Sequence, residues 1–238
     1  MTYTTPGGNY SRLYADMANQ THLLIAGATG SGKSTVIDGI LHALLHDAPT
    51  ADRLILIDLK KVELIDYKDL PHTIMYADDD QEAIQALQTA LHYTDTRYAD
   101  MQARRIKDYD ASHIYVIIDE LADLLTTISK QAVPLIRRLC QIGRAARVHV
   151  IAATQHIPMI PTSIRCNFDS RLALRTVTAQ DSRNIIYRPG AEKLPKPRTA
   201  GRALGYYMTD GDPILYDIPM IPAAERRRII DHWTRQAS

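Results

Sequence analysis

The stretch that most constrains this chain is 23–35, Leu-Leu-Ile-Ala-Gly-Ala-Thr-Gly-Ser-Gly-Lys-Ser-Thr. Leu23 to Ala26 form an apolar run of strand length. Gly27, Ala28, Thr29, Gly30, Ser31 and Gly32 follow as a loop, and Lys33, Ser34 and Thr35 open a helical pattern. The spacing is a complete G-x-x-x-x-G-K-[ST] phosphate loop in strand–loop–helix context. Its glycines let backbone N–H groups close on phosphate oxygens, and the helix start adds the positive end of its dipole. Lys33 is expected to reach the β- and γ-phosphates, and Ser34 to ligate Mg²⁺. The competing reading is a glycine-rich turn without a ligand.

The apolar pattern of the next helix runs through Val36, Ile37, Ile40, Leu41, Leu44 and Leu45 and stops before Pro49. Arg53–Leu59 reads as a buried strand ending at Asp58. Asp78, Asp79 and Asp80 signal the start of a long helix through about Lys107. Further strands are expected over His113–Ile118, Val148–Thr154 and Ser170–Thr176. Helices are expected over Leu121–Thr127, Gln131–Ala146, Ala179–Tyr187 and Pro222–Arg235. Ile157–Thr162 and Arg188–Arg202 read as loops, and Ala203–Met208 with Pro213–Asp217 as a hairpin. Residues 1–20 form a polar lead-in with a short helical turn near Tyr14–Ala18, and 21–238 one catalytic domain. Alternating strands and helices imply an α/β fold, a mostly parallel sheet with helices on both faces. Such sheets bind ligands at the carboxyl ends of their strands. The phosphate loop, Asp58, Asp119-Glu120 and Thr154-Gln155 all fall at such ends.

Ile114 to Glu120 has the form of a Walker B segment. Asp119 is expected to hold Mg²⁺ opposite Ser34, and Glu120 to orient and deprotonate an attacking water. Gln155 follows its strand where an amide can sense the γ-phosphate or hold that water. Arg144, Arg147 and Arg171 are candidates for an arginine finger acting on a neighbour's nucleotide. His22, His113 and His149 lie at strand edges, where packing is the expected role. No histidine–cysteine cluster suggests zinc.

The chain is 45% hydrophobic and 23% charged with a formal net charge of +1, an ordinary globular composition. That balance neither favours nor excludes nucleic acid, because a ring can gather basic groups locally in its pore. Its two cysteines, Cys140 and Cys166, suggest neither a disulfide framework nor a metal site, and a reduced, cytoplasmic setting fits. No apolar run is long enough to span a bilayer, so membrane recruitment would need an anchored partner protein.

With these residues placed, the chain resembles the motor domain of the FtsK/SpoIIIE family of DNA translocases. The resemblance runs from about Tyr14 to Trp233. It is carried by the phosphate loop, by Leu56 to Leu64, and by Asp119-Glu120-Leu121-Ala122-Asp123. Gly143-Arg144-Ala145-Ala146, Ala153-Thr154-Gln155, Ser170 to Arg175, Asp181-Ser182-Arg183 and Gly190-Ala191-Glu192-Lys193-Leu194 complete it. It implies a RecA-like P-loop NTPase fold, ATP and Mg²⁺ as cofactors, and a homo-oligomer, a hexameric ring around double-stranded DNA with ATP hydrolysed between subunits. By position Arg171 becomes the first choice for the finger. Gln141–Arg147 and Arg188–Arg198 look similar to pore loops, so Arg144, Arg147, Arg188, Lys193, Lys196 and Arg198 are expected on DNA phosphates. Neither a membrane-spanning region nor a winged-helix module is seen, so a minimal motor from a conjugative element, plasmid or phage is expected. A secretion-type ATPase moving protein substrates is the alternative.

Overall fold

Among the described residues six strands pair in parallel, and most are continuous apolar runs because both their faces are covered. The computed structural model describes residues 2–4, 10–12, 21–47, 52–197 and 202–236. The parallel strands are β3 (His22–Ala26), β4 (Arg53–Ile57), β5 (Thr73–Ala77), β6 (Ile114–Ile118), β7 (Val148–Thr154) and β8 (Ser170–Ala173). Four antiparallel strands extend the sheet beyond β8: β1 (Thr2–Thr4), β2 (Tyr10–Arg12), β9 (Arg202–Met208) and β10 (Ile214–Pro219). The order across the sheet is β2-β1-β10-β9-β8-β3-β7-β6-β4-β5.

Strand side chains alternate between two cores. Leu24, Ala26, Ile55, Val116 and Val150 face one layer, built from α2 (Asp80–Arg104), α3 (Leu121–Thr127), α4 (Ser129–Ile142) and α6 (Ala179–Ile186). Leu23, Ile25, Leu54, Ile117 and Ile151 face the other, against α1 (Lys33–Asp47). Burying each such Leu or Ile stabilises the fold by about 1.5–3 kcal/mol. A short helix, α5 (Thr162–Arg165), precedes β8. The terminal helix α7 (Ala223–Gln236) lies on α1. Trp233 Nε1 donates to Leu45 O at 2.9 Å, and Arg226 pairs with Asp38 at 2.9 Å.

The start of α2 follows its sequence signal. Asp79 caps it by accepting from Glu82 N at 2.8 Å, and the Glu82 carboxylate accepts from Asp78 N at 3.0 Å, an arrangement worth about 1 kcal/mol. Other segments depart from the reading of the sequence. Thr73–Ala77 is a strand where none is expected; it is short, half-buried and at the sheet edge, so its apolar pattern is faint. Ile157–Thr162 is not all loop: Ile157–Met159 makes a helical turn and Thr162 begins α5. In the lead-in, β1 pairs with both β2 and β10; the turn expected near Tyr14–Ala18 lies outside the described residues.

Sheet order positions the site. The chain leaves β3, crosses to β4 and β5, then returns inward through β6 and β7 before β8 closes on the other side of β3. The carboxyl ends of β3, β7 and β6 therefore adjoin, with β7 inserted between the phosphate-loop strand and the Walker B strand.

Candidate nucleotide-hydrolysis site

The phosphate loop is held from both sides. Gly27 N donates to Thr154 O at the end of β7 (3.2 Å), and Ala28 N to Arg175 O just past β8 (2.8 Å). Gly30 and Gly32 have φ of 70° and 101°, left-handed values that favour glycine. Lys33 Nζ folds back onto Gly27 O (2.9 Å) and Ala28 O (3.2 Å). Burial lowers the Lys33 pKa, opposed by the charges of Glu120 and Asp119. The Ser31 hydroxyl is buried with no partner. An orphaned hydroxyl and an ammonium held only by carbonyls, in a loop turned by positive-φ glycines, make a donor set that fits a polyphosphate.

The acids stand at the end of β6. Asp119 is 9% exposed, and burial, with Glu63 and Asp58 adding repulsion, pushes its pKa up to about 7. Such crowding of negative charge at the end of β6 fits a divalent cation. Glu120 caps α3 and is buried. Its Oε1 accepts from Thr154 Oγ1 at 2.8 Å, and Gln155 N lies 3.2 and 3.1 Å from its two oxygens. Gln155 Oε1 accepts from Thr29 Oγ1 of the phosphate loop at 2.7 Å. Gln155 thus meets the phosphate loop through its side chain and Glu120 through its backbone N–H, a series across three strand ends.

The segment after β4 flanks this series. Asp58 is fully buried and its Oδ2 accepts from Leu64 N at 2.9 Å, closing the loop 58–64. Lys60 Nζ lies 3.2 Å from Asp123 and 3.8 Å from Glu120.

The FtsK/SpoIIIE family pattern matches residues 6–115 and 110–158 of the chain. The chain belongs to the FtsK/SpoIIIE family. DNA translocase FtsK of Tropheryma whipplei is 33% identical over 248 aligned positions, covering 93% of this chain and 33% of that protein. The chain spans a third or less of the length of the first curated relatives it matches. Among solved structures, the pCW3 conjugation coupling protein TcpA, in monomer form with ATPγS, superposes with a TM-score of 0.78 at 19% identity. That match covers 98% of this chain and 70% of TcpA. Thermomonospora curvata EccC (ATPases 2 and 3), in complex with a signal sequence peptide, gives a TM-score of 0.81 at 17% identity, covering 98% of this chain and 46% of EccC. Both likenesses concern the fold, which is that of RecA-like P-loop ATPase domains.

Within this FtsK/SpoIIIE fold Arg171, the first choice for the arginine finger, lies in the interior. Arg171 is 5% exposed, inside the α6 layer. Its Nε donates to Phe168 O (3.2 Å), and its two terminal nitrogens to Ile185 O (3.1 Å) and Arg165 O (2.9 Å). Its guanidinium carbon stacks 4.7 Å over the Tyr187 ring. Three backbone carbonyls of its own chain occupy the guanidinium. Strand parity decides this: Leu172 and Leu174 take the α1 face, so Arg171 takes the other.

Of the six basic residues expected on DNA, Arg144, Arg147, Arg188, Lys193 and Lys196 are among the described residues. Arg144 is exposed and Arg147 half-buried at the amino end of β7, where Arg147 donates to Ala111 O at 2.8 Å. Arg188 pairs with Asp212, and Lys193 is exposed. Lys196 is also exposed, but its neighbour Pro197 lies beside the phosphate loop, with Cγ 3.6 Å from where a Cβ on Gly32 would stand. Arg198 lies outside the described residues.

Another basic surface escaped the reading of the sequence. From Leu124 to Phe168 there is no Asp or Glu, while Lys130, Arg137, Arg138, Arg144, Arg147 and Arg165 all fall there. Lys130, Arg137 and Arg138 are exposed on α4, and Arg137 donates to Ser163 Oγ at 3.1 Å, joining α4 to α5. The signal was an acid-free window, which the near-neutral charge of the whole chain conceals. Thr154 and Lys60 were also unassigned, because only the sheet order brings them to Glu120.

Proposed function

We propose that this chain is the motor of a ring that hydrolyses ATP to drive double-stranded DNA. The observation that carries the reading is the hydrogen-bonded series Thr29–Gln155–Glu120, which links a phosphate loop to a water-activating acid. Lys33 and the loop N–H groups bind the β- and γ-phosphates. Ser34 and Asp119 would hold Mg²⁺, which supplies charge neutralisation on the phosphoryl oxygens when bound. Glu120 takes the proton of the attacking water, and Gln155 reports the γ-phosphate to it through Thr29. With Arg171 committed to the interior, a finger from a neighbouring subunit of the hexamer must come from another arginine.

Support for DNA as cargo comes from the relatives named DNA translocases and from α4 and α5, which carry no acid of their own while α4 exposes Lys130, Arg137 and Arg138, a set that suits a phosphate backbone read without sequence preference. The likeness to EccC favours the second reading, a motor that moves protein substrates. Among the described residues no helix is long and apolar enough to cross a membrane, and both cysteines are free. We propose a cytoplasmic ring, with an anchored partner for any recruitment to a membrane. ATP turnover with and without duplex DNA across a salt series, alongside particle mass, tests the reading. Duplex should stimulate turnover, Lys33→Ala should abolish it, and Glu120→Gln should keep nucleotide binding without turnover. Arg137→Gln with Arg138→Gln should lower the salt slope of duplex binding by about 0.9 per lost phosphate contact. DNA-independent turnover with no duplex binding at low salt would sink DNA as the cargo.

A further inference from the structure

Thr154 ends β7 with its side chain wholly buried. A threonine hydroxyl has one proton to give and two lone pairs. Here the proton goes to Glu120 Oε1 at 2.8 Å, while the oxygen accepts from His156 N at 3.1 Å. Gln155 N and Ala122 N also approach Glu120 Oε1, at 3.2 and 3.4 Å, so that oxygen faces three protein donors. Oε2 has Gln155 N at 3.1 Å and Lys60 Nζ at 3.8 Å. The carboxylate is turned back onto the end of β7, with its oxygens engaged by the protein.

His156 begins the segment that runs through the turn Ile157–Met159 and α5 to Arg165. Ile157, Ile160 and Ile164 anchor that segment in the core, while Met159, Thr162 and Ser163 are exposed. The segment lies in the acid-free span and touches α4 through Ser163. One buried hydroxyl therefore joins Glu120 to the root of a surface segment that packs beside the exposed cations Arg137 and Arg138 of α4.

We propose that Thr154 is a positioning residue that holds Glu120 away from water until duplex DNA engages the His156–Arg165 segment. The inference rests on the reading of Glu120 given above. Movement of His156 withdraws the Thr154 hydroxyl and frees Oε1. Glu120 then takes a proton from water as the water oxygen bonds to the γ-phosphorus. The bond from that phosphorus to the bridging oxygen breaks, leaving ADP and phosphate.

Thr154→Val removes the hydroxyl at nearly constant volume and suits a strand; Thr154→Ser keeps it. ATP turnover by the full chain is measured with and without duplex DNA. In Thr154→Val the DNA-free kcat should rise about threefold to tenfold, with the KM for ATP changed less than about twofold. Stimulation by DNA should shrink toward unity, and Thr154→Ser should behave as the wild type. A gain in rate is not a result that a merely damaged fold produces. An unchanged DNA-free rate, or an equal fall with and without DNA, overturns the relay while an inactive Glu120→Gln leaves the hydrolysis reading standing. Full turnover by Glu120→Gln overturns that reading and the relay with it. Amide exchange gives a readout separate from activity: His156 N–H should be protected in the free chain and lose protection when duplex DNA and ATP are bound. Unchanged protection overturns the relay.

Discussion

Replacing Arg171 by methionine keeps much of the buried stem and deletes the guanidinium. Bonds of 3.2, 3.1 and 2.9 Å to Phe168 O, Ile185 O and Arg165 O are lost, with the stack on Tyr187. Each orphaned acceptor costs about 1–3 kcal/mol. The cost of burying the guanidinium is recovered at the same time, so the net loss is about 3–5 kcal/mol, typical of a broken buried network of charged hydrogen bonds. With a urea dependence of about 3 kcal/mol per molar, the unfolding midpoint should fall by about 1–1.7 M. Circular dichroism across a urea series reads the midpoint, and ATP turnover in rings mixed from wild-type and variant subunits reads any action between neighbours. An unchanged midpoint, with turnover in mixed rings falling faster than simple dilution, would refute the interior role and return Arg171 to the neighbour's nucleotide.

Two further substitutions test the loop and the far end of the sheet. At Gly32, φ is 101° and an added Cβ would lie 2.7 Å from Ala203 Cβ, so Gly32→Ala should cost about 1–3 kcal/mol of backbone strain and weaken ATP binding; calorimetric titration showing wild-type affinity would contradict the crowding argument. His22 is held neutral: burial first, then the charge of His149, lowers its pKa from 6.5 to about 3, and its Nδ1 accepts from Val150 N at 3.0 Å. Between those values the unfolded chain binds the proton that the folded chain refuses, so stability is full above the unfolded pKa and falls as pH drops through that window, by up to about 1.4 kcal/mol per pH unit. His22→Asn, which keeps an acceptor but cannot titrate, should show a shallower loss between pH 6 and pH 4, and parallel pH profiles of the two proteins would remove His22 as the cause.

The sequence by itself determined what is local. Glycine spacing set the phosphate loop, the apolar run Ile114–Ile118 set the strand that delivers Asp119 and Glu120, and Asp79 set the start of α2. Each is decided within a few residues by backbone freedom, side-chain period or a cap. Only the tertiary structure decided which strands are neighbours, because strand pairing is paid for by contacts far apart in the chain. The insertion of β7 between β3 and β6 turned Thr154 and Gln155 from the end of an apolar strand into partners of Glu120. Sheet-face parity buried Arg171, and helix packing set Arg137 beside Ser163. A side chain's chemistry is written in the sequence, but its partners depend on strand order and on which face of the sheet it occupies, and both are settled when the cores close.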